Sequence, residues 1–113
     1  MAIVQISPAL FEEIKQRFKG KADDIIDLLE TLEKNPKKGS AAGHVGNIAV
    51  RELKHGVYRF YFIADAHKIR VLKVEELTDV LIKFIRMSDK DTQQKTIDEI
   101  KNVLRNLGAG GFK

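Results

Sequence analysis

The strongest candidate for chemistry is a short segment that is rich in cations and aromatic residues. Val50–Ile63 reads VRELKHGVYRFYFI, and its candidate ligand-binding cations are Arg51, Lys54, His55 and Arg59. A guanidinium matches two phosphate oxygens at once, so Arg59 is the best candidate for a phosphate clamp. His55 could exchange a proton near neutral pH, although its place beside a glycine also suits a turn residue. Tyr61 could stack on a nucleic-acid base, or it could pack in a core.

The same segment predicts a β-hairpin. His55-Gly56 separates two apolar-rich runs, and glycine can adopt the positive φ that a tight turn requires. Alternation along the second run puts Tyr58, Phe60 and Phe62 on one face, which we expect helices to cover. Arg59 then points out of the sheet on the opposite face. The hairpin should therefore have a packed side and a cationic side.

Further cations are predicted to complete that cationic side. Arg51 and Lys54 lie on the neighbouring strand, and we expect them to share the surface of Arg59. Arg86 and Lys90 come at the end of the last strand, from which they would close the site. Basic residues also outnumber acidic ones here, because residues 51–90 contain nine Lys or Arg and six Asp or Glu. This surplus is a mild indication of an anionic partner, although an ordinary basic surface explains it about as well.

Composition narrows the class of protein. A length of 113 residues with 43% hydrophobic residues suits one compact domain. There are no cysteines and only three histidines, which argues against disulfides, cysteine nucleophiles and a zinc site. We expect no cofactor and no metal. No apolar run reaches the roughly 18 residues of a membrane span, and no signal peptide is visible, so we expect a cytoplasmic protein.

The order of predicted elements gives the fold class. Ser7-Pro8 is typical of a helix start, and Asn35-Pro36 of a helix end. The elements are a strand over 1–6, two helices between residues 8 and 34, a Gly-rich loop over 37–47, four strands over 48–53, 57–65, 68–75 and 80–87, and a helix from about 92 to 107. We predict an α+β fold in which the N-terminal helical hairpin and the C-terminal helix pack on one face of a twisted antiparallel sheet. Residues 1–107 form the single domain, and residues 108–113 are expected to be a flexible tail.

These features together resemble the RelE/ParE superfamily of toxins from toxin–antitoxin systems. The residues that carry the resemblance are those of the L-K-x-G-x-Y-R-x-x-Y motif, here Leu53, Lys54, Gly56, Tyr58, Arg59 and Tyr61. The segment Phe84–Ile100 is similar to the strand-to-helix part of the HigB-like, or phage Gp49-like, branch. One departure is the segment His67–Asp79, which looks like an inserted strand or an extended hairpin. Another is the absence of a tyrosine after Tyr61 and of a histidine after His67.

The resemblance implies a RelE-like fold and a ribosome-dependent endoribonuclease that inhibits translation by cutting mRNA. The RNA's own 2′-hydroxyl is the nucleophile, so neither a metal nor a covalent nucleophile is required. Its implied catalytic residues are Arg59, Lys54 and Arg86, and its implied substrate-binding residues are Arg51, His55, Tyr61, Lys83 and Lys90. The implied partners are the ribosome, mRNA and a cognate antitoxin, which would form a toxin–antitoxin hetero-oligomer. No membrane partner is implied.

Two other functions remain open. One is a non-nuclease toxin like ParE, which acts on DNA gyrase. The other is a non-enzymatic module that binds an antitoxin or nucleic acid on the same scaffold. The cationic cluster favours the nuclease, whereas the missing late tyrosine or histidine favours the alternatives.

Overall fold

The fold has five strands and four α-helices, and the computed structural model describes all of residues 1–113. Ser7 caps the first helix as the sequence predicts, because its hydroxyl accepts a hydrogen bond from the Leu10 amide at 3.4 Å. None of the helices has both the length and the apolar character needed to cross a membrane. The elements in chain order are β1 (Ile3–Ile6), α1 (Pro8–Arg17), α2 (Ala22–Glu30), β2 (Ser40–Val45), β3 (Ile48–His55), β4 (Tyr58–Asp65), α3 (Ala66–Val71), β5 (Leu81–Asp89) and α4 (Gln93–Leu107).

The five strands form one mixed sheet in the order β1-β5-β4-β3-β2. The strands from β2 to β5 pair antiparallel, as predicted, but β1 pairs parallel with β5. The prediction of an entirely antiparallel sheet is therefore wrong at this edge. Short links can join only antiparallel neighbours, whereas most of the chain separates β1 from β5 and allows a parallel crossover.

The hairpin of β3 and β4 forms as the sequence predicts. Gly56 has a φ of 60° in the turn, and His55 pairs with Tyr58 across it. Phe60 and Phe62 are fully buried in the larger core, which α1 and α2 cover. We call this side of the sheet the hairpin face. The predicted alternation of β4 is thus confirmed.

The C-terminal helix lies on the other side of the sheet, which we call the α4 face. Ile100 and Leu104 of α4 pack there with Val50, Tyr61 and Ile63 in a separate core. The prediction that all helices share one face is therefore wrong, and the fold has three layers. The sequence could not settle this, because the apolar face of α4 fits either side of a sheet whose central strand is apolar on both faces.

The Gly-rich segment over 37–47, predicted to be a loop, contains the edge strand β2. Its pairing with β3 runs from Ser40 opposite Glu52 to Val45 opposite Ile48, with an irregularity between Ala41 and Gly43. Small residues have weak strand propensity, so no local signal marks this strand. Its hydrogen bonds to β3 decide its conformation.

The segment predicted as a strand over 68–75 is helical. Asp65 caps α3, because its Oδ1 accepts hydrogen bonds from the Lys68 amide at 2.9 Å and from the Asn47 side chain at 3.1 Å. A turn of 3-10 helix follows at Val74–Glu76. Ile69 packs into the larger core from α3. The segment His67–Asp79 therefore adds a helical cover to the hairpin face, not an extra strand or an extended hairpin.

The last six residues, for which the sequence predicts a flexible tail, pack against the protein. Ala109–Gly111 form a turn of 3-10 helix, and the side chain of Phe112 is only 2% exposed. Phe112 lies in the core of the α4 face. A single aromatic residue among glycines thus attaches this segment.

The burial of Phe60 yields a stability prediction. Phe60→Ala removes a fully buried ring from the larger core, and it should lower the free energy of unfolding by about 3–5 kcal/mol. Phe11→Ala is the matched control, because the Phe11 side chain is 37% exposed on α1. Denaturant unfolding should show a change below about 1 kcal/mol for that control. Equal losses for the two variants would contradict the packing described here.

Candidate functional site

The candidate site lies on the α4 face, where strand register places six polar side chains in two rows. One row runs across three strands from Lys54 through Arg59 to Ser88. The adjacent row runs from Glu52 through Tyr61 to Arg86. The site therefore combines three cations, one carboxylate and two hydroxyls at the end of the sheet nearest the β3–β4 turn.

Arg59 is half-buried, and its guanidinium bends back toward the turn. Its Nη1 donates hydrogen bonds to the carbonyl oxygens of Gly56 at 3.1 Å and Tyr58 at 3.0 Å. Its Nε is buried without a hydrogen-bond partner. These two bonds fix the position of the guanidinium, while Nε is left as a buried donor without a partner.

Glu52 is a site residue that the sequence analysis missed. It lies directly opposite Tyr61 on β3, and its Oε2 is buried without a hydrogen-bond partner. An unpaired buried carboxylate oxygen is costly, so its presence in a polar row calls for a function. The available signal was alternation, since Glu52 lies two residues from Lys54 and so shares its face.

Tyr61 packs in a core, which is one of the two roles that the sequence left open, and it does not offer a ring for stacking. The side chain is fully buried, which leaves no face of the ring on which a base could stack. Its hydroxyl forms a 2.8 Å hydrogen bond with the Ser88 hydroxyl. Burial raises the pKa of the Tyr61 phenol, and the nearby Glu52 carboxylate also raises it, while the Ser88 hydrogen bond and Arg59 act in the opposite direction. Tyr61 is therefore a neutral hydroxyl at the base of the site.

Arg86 and Lys83 share the α4 face, but the C-terminal residues contact both. The Arg86 guanidinium carbon lies 5.0 Å from the centroid of the Phe112 ring, and Arg86 Nη1 donates to the Ile85 carbonyl at 2.9 Å. Lys83 Nζ donates to the Phe112 carbonyl oxygen at 2.9 Å. Lys83 pairs with Ile63, so it lies farther along the sheet from the two rows.

Arg51 and His55 lie on the hairpin face. Arg51 pairs with Phe62 and His55 with Tyr58, so the prediction that Arg51 shares the surface of Arg59 is wrong. A position one residue away from Glu52 must point to the opposite side of a strand. Arg51 Nη2 instead donates to the carbonyls of Lys37 at 3.2 Å and Gly39 at 3.0 Å, and burial lowers the pKa of its guanidinium. Lys90 is exposed in the turn beyond β5.

The cations of the site have no carboxylate partners. The two ion pairs of the protein both lie on α1, where Lys15 pairs with Glu12 at 3.1 Å and Arg17 with Glu13 at 3.7 Å. No carboxylate of the chain therefore forms an ion pair with Lys54, Arg59 or Arg86, and the field at the two rows is positive. No group of three or more His, Asp or Glu side chains lies close enough together to hold a metal ion.

Asp89 connects the site to the helix that covers this face. It follows Ser88, and its Oδ1 accepts hydrogen bonds from the amides of Asp91 at 2.8 Å and Thr92 at 3.0 Å. The Asp91 amide is the main cause of the lowered pKa of Asp89, and the Thr92 groups and Arg17 contribute in the same direction. Asp89 thus fixes the turn from which α4 begins.

The lowered pKa of Asp89 predicts acid-dependent stability. A carboxylate whose pKa is lower in the folded state stabilises the protein above its unfolded pKa of about 3.9, and this stabilisation is lost as the pH falls through the folded pKa. Asp89→Asn should therefore show a shallower loss of melting temperature than the wild type below about pH 4. Asp27→Asn, which removes an exposed carboxylate of α2, is the control. Identical acid profiles for Asp89→Asn and the wild type would contradict the capping role.

The fold and the site define an α+β protein with a five-stranded mixed sheet between two helical layers and a cationic polar cluster on one face. No protein-family model, curated protein or solved structure matches this chain.

Proposed function

We propose that the protein is a metal-independent endoribonuclease of the RelE/ParE superfamily, in its HigB-like branch, and that it cuts mRNA engaged on the ribosome. In this role it is the toxin of a type II toxin–antitoxin system. The observation that carries the proposal is the pair of polar rows on the α4 face. They combine cations that lack carboxylate partners with a buried carboxylate oxygen that lacks a hydrogen bond.

The proposed reaction assigns roles to four residues of the two rows. The RNA 2′-oxygen attacks the adjacent phosphorus and the bond to the 5′-oxygen breaks, which leaves a cyclic phosphate and a 5′-hydroxyl. Glu52 is the one carboxylate of the two rows, and in the proposed reaction it accepts the proton of the 2′-hydroxyl. Arg59 and Arg86 neutralise charge that develops on the phosphate oxygens. Lys54, which is exposed at the end of its row, supplies a proton to the leaving 5′-oxygen.

The ribosome is the proposed source of substrate orientation. The two rows lie on one face of the sheet, and Tyr61, the one aromatic residue in them, is buried. Such a surface binds phosphate groups but has no aromatic platform that would hold a base. Free RNA should therefore be cut poorly, because nothing in the site aligns the 2′-oxygen with the phosphorus.

The first test is the loss of Arg59. Arg59→Ala should reduce cleavage of ribosome-bound mRNA about 10²–10³-fold, because a contact to the transition-state phosphate is lost. Arg70→Ala, which removes an exposed arginine of α3, should cleave like the wild type. Primer extension on mRNA from expressing cells measures both, and circular dichroism verifies the fold. Wild-type cleavage by Arg59→Ala would exclude this mechanism.

The second test concerns Glu52. Glu52→Gln keeps the shape of the side chain but removes the base, so the rate should fall about 10²–10⁴-fold. Glu99→Gln, at an exposed position on α4, is the matched control. Full activity of Glu52→Gln would assign the base elsewhere.

The hydrogen bonds of Arg59 favour a second candidate. Because Nη1 is bound to two carbonyls of its own turn, Arg59 could serve the hairpin alone. The protein would then be a gyrase-directed toxin like ParE or a non-enzymatic binding module. Growth arrest with DNA damage but without new mRNA ends supports the former, and no effect on growth supports the latter.

A toxin also requires a partner that silences it. We propose a cognate antitoxin whose acidic segment covers the cations of the α4 face, since these have no carboxylate partners within the chain. Co-expression with the product of the neighbouring gene should give a complex that survives gel filtration at micromolar concentration. The variant Lys54→Glu should weaken the complex at low salt, whereas Lys19→Glu on the helical layer should not. Separate elution of the wild-type proteins would contradict the partnership.

A further inference from the structure

The C-terminal segment over 108–113 covers part of the cationic face. Phe112 carries the contact, because its ring lies over Arg86 and its carbonyl oxygen accepts the hydrogen bond of Lys83 Nζ. These are two cations of one strand, and neither has a carboxylate partner. Phe112 thus contacts two cationic side chains but brings no negative charge to either.

One buried side chain attaches this segment to the rest of the protein. Three of the four residues Gly108–Gly111 are glycine, and Gly108 has a φ of 69° at the end of α4. Phe112 is the one side chain of the segment that is buried, whereas Ala109 and Lys113 are exposed. Glycine residues allow many other backbone conformations, so releasing one ring would free the whole segment.

Gly111 permits the close approach that seats Phe112. A Cβ at Gly111 would lie 2.7 Å from Val103 Cγ1 and 2.8 Å from Leu107 Cβ. At Gly110, by contrast, a Cβ would meet no atom within 4 Å. The turn therefore packs closely on α4 at Gly111, whereas at Gly110 there is room for a side chain.

We propose that residues 108–113 form a latch that masks Lys83 and Arg86 and that opens when a polyanion binds this face. A polyanion gains both cations only in the open state, so it shifts the equilibrium toward release. In the closed state the burial of Phe112 holds the latch in place. The proposal rests on the proposed function in that RNA is the polyanion, but the masking itself requires no cleavage.

The two glycines provide matched variants for the test. Gly111→Ala should displace the latch, and Gly110→Ala should leave it seated. The probe is a fluorescein-labelled single-stranded RNA 12-mer, and its anisotropy reports binding across a series of salt concentrations. Opening the latch costs the wild type free energy that Gly111→Ala does not spend, so Gly111→Ala should bind roughly three- to tenfold more tightly at every salt concentration. The slope of log affinity against log salt should be the same for both proteins, because the bound state contacts both cations in each. Gly110→Ala should bind like the wild type, and Lys83→Gln in the Gly111→Ala background should make the slope shallower by about 0.7.

Equal affinity of folded Gly111→Ala and Gly110→Ala at every salt concentration would overturn the latch. If Gly111→Ala does not fold, amide exchange in the wild type provides the test, because the Gly111 amide donates to the Gly108 carbonyl at 3.1 Å. Saturating RNA 12-mer should accelerate exchange at Gly111, and an unchanged rate would overturn the latch. Primer extension separates the two proposals. Cleavage without a latch effect refutes only the latch, and a latch effect without cleavage refutes only the nuclease.

Discussion

The central strand β4 is covered on both faces, and this constraint organises the rest of the structure. Phe60 and Phe62 are fully buried on the hairpin face, and Tyr61 is fully buried on the α4 face. A strand with two buried faces requires neighbours on both edges and a helical layer on each side. Arg59 lies near the start of this strand, where the α4 face becomes polar, so its direction follows from the packing of the residues beyond it.

The polar rows therefore lie at the margin of a core. Val50 and Ile63 form the next cross-strand pair on the same face as Glu52 and Tyr61. Both of these apolar residues are buried beneath α4. Low polarity on that side strengthens the field of each charge and makes unpaired polar atoms costly. The 2.8 Å bond between Tyr61 and Ser88 satisfies two buried hydroxyls, whereas Glu52 Oε2 and Arg59 Nε remain without partners. These two unpaired atoms, an acceptor and a donor among three cations, distinguish the two rows from the exposed lysines elsewhere.

Side-chain hydrogen bonds at the ends of strands and helices stabilise the sheet that carries the two rows. Arg51 anchors the backbone at Lys37 and Gly39 just before β2, and β2 completes the sheet edge beside β3. Asp65 begins the helix that closes one end of the hairpin face, and Asp89 fixes the turn that leads into α4. Each of these side chains forms a hydrogen bond with a backbone group that has no partner within a helix or a strand. A rigid sheet with fixed ends keeps the two rows in register.

The sequence by itself determined the hairpin, the alternation of β4 and the first helix, because these depend on turn chemistry, period and capping over a few residues. It also identified Lys54, Arg59 and Arg86, which register brings to one face. Only the tertiary structure decided that α4 takes the opposite face, that residues 40–45 form a strand and that residues 66–71 form a helix. It likewise placed Arg51 on the other face and brought Glu52 and Phe112 to the cations. These features depend on partners distant in sequence, whose pairing and burial override local propensity.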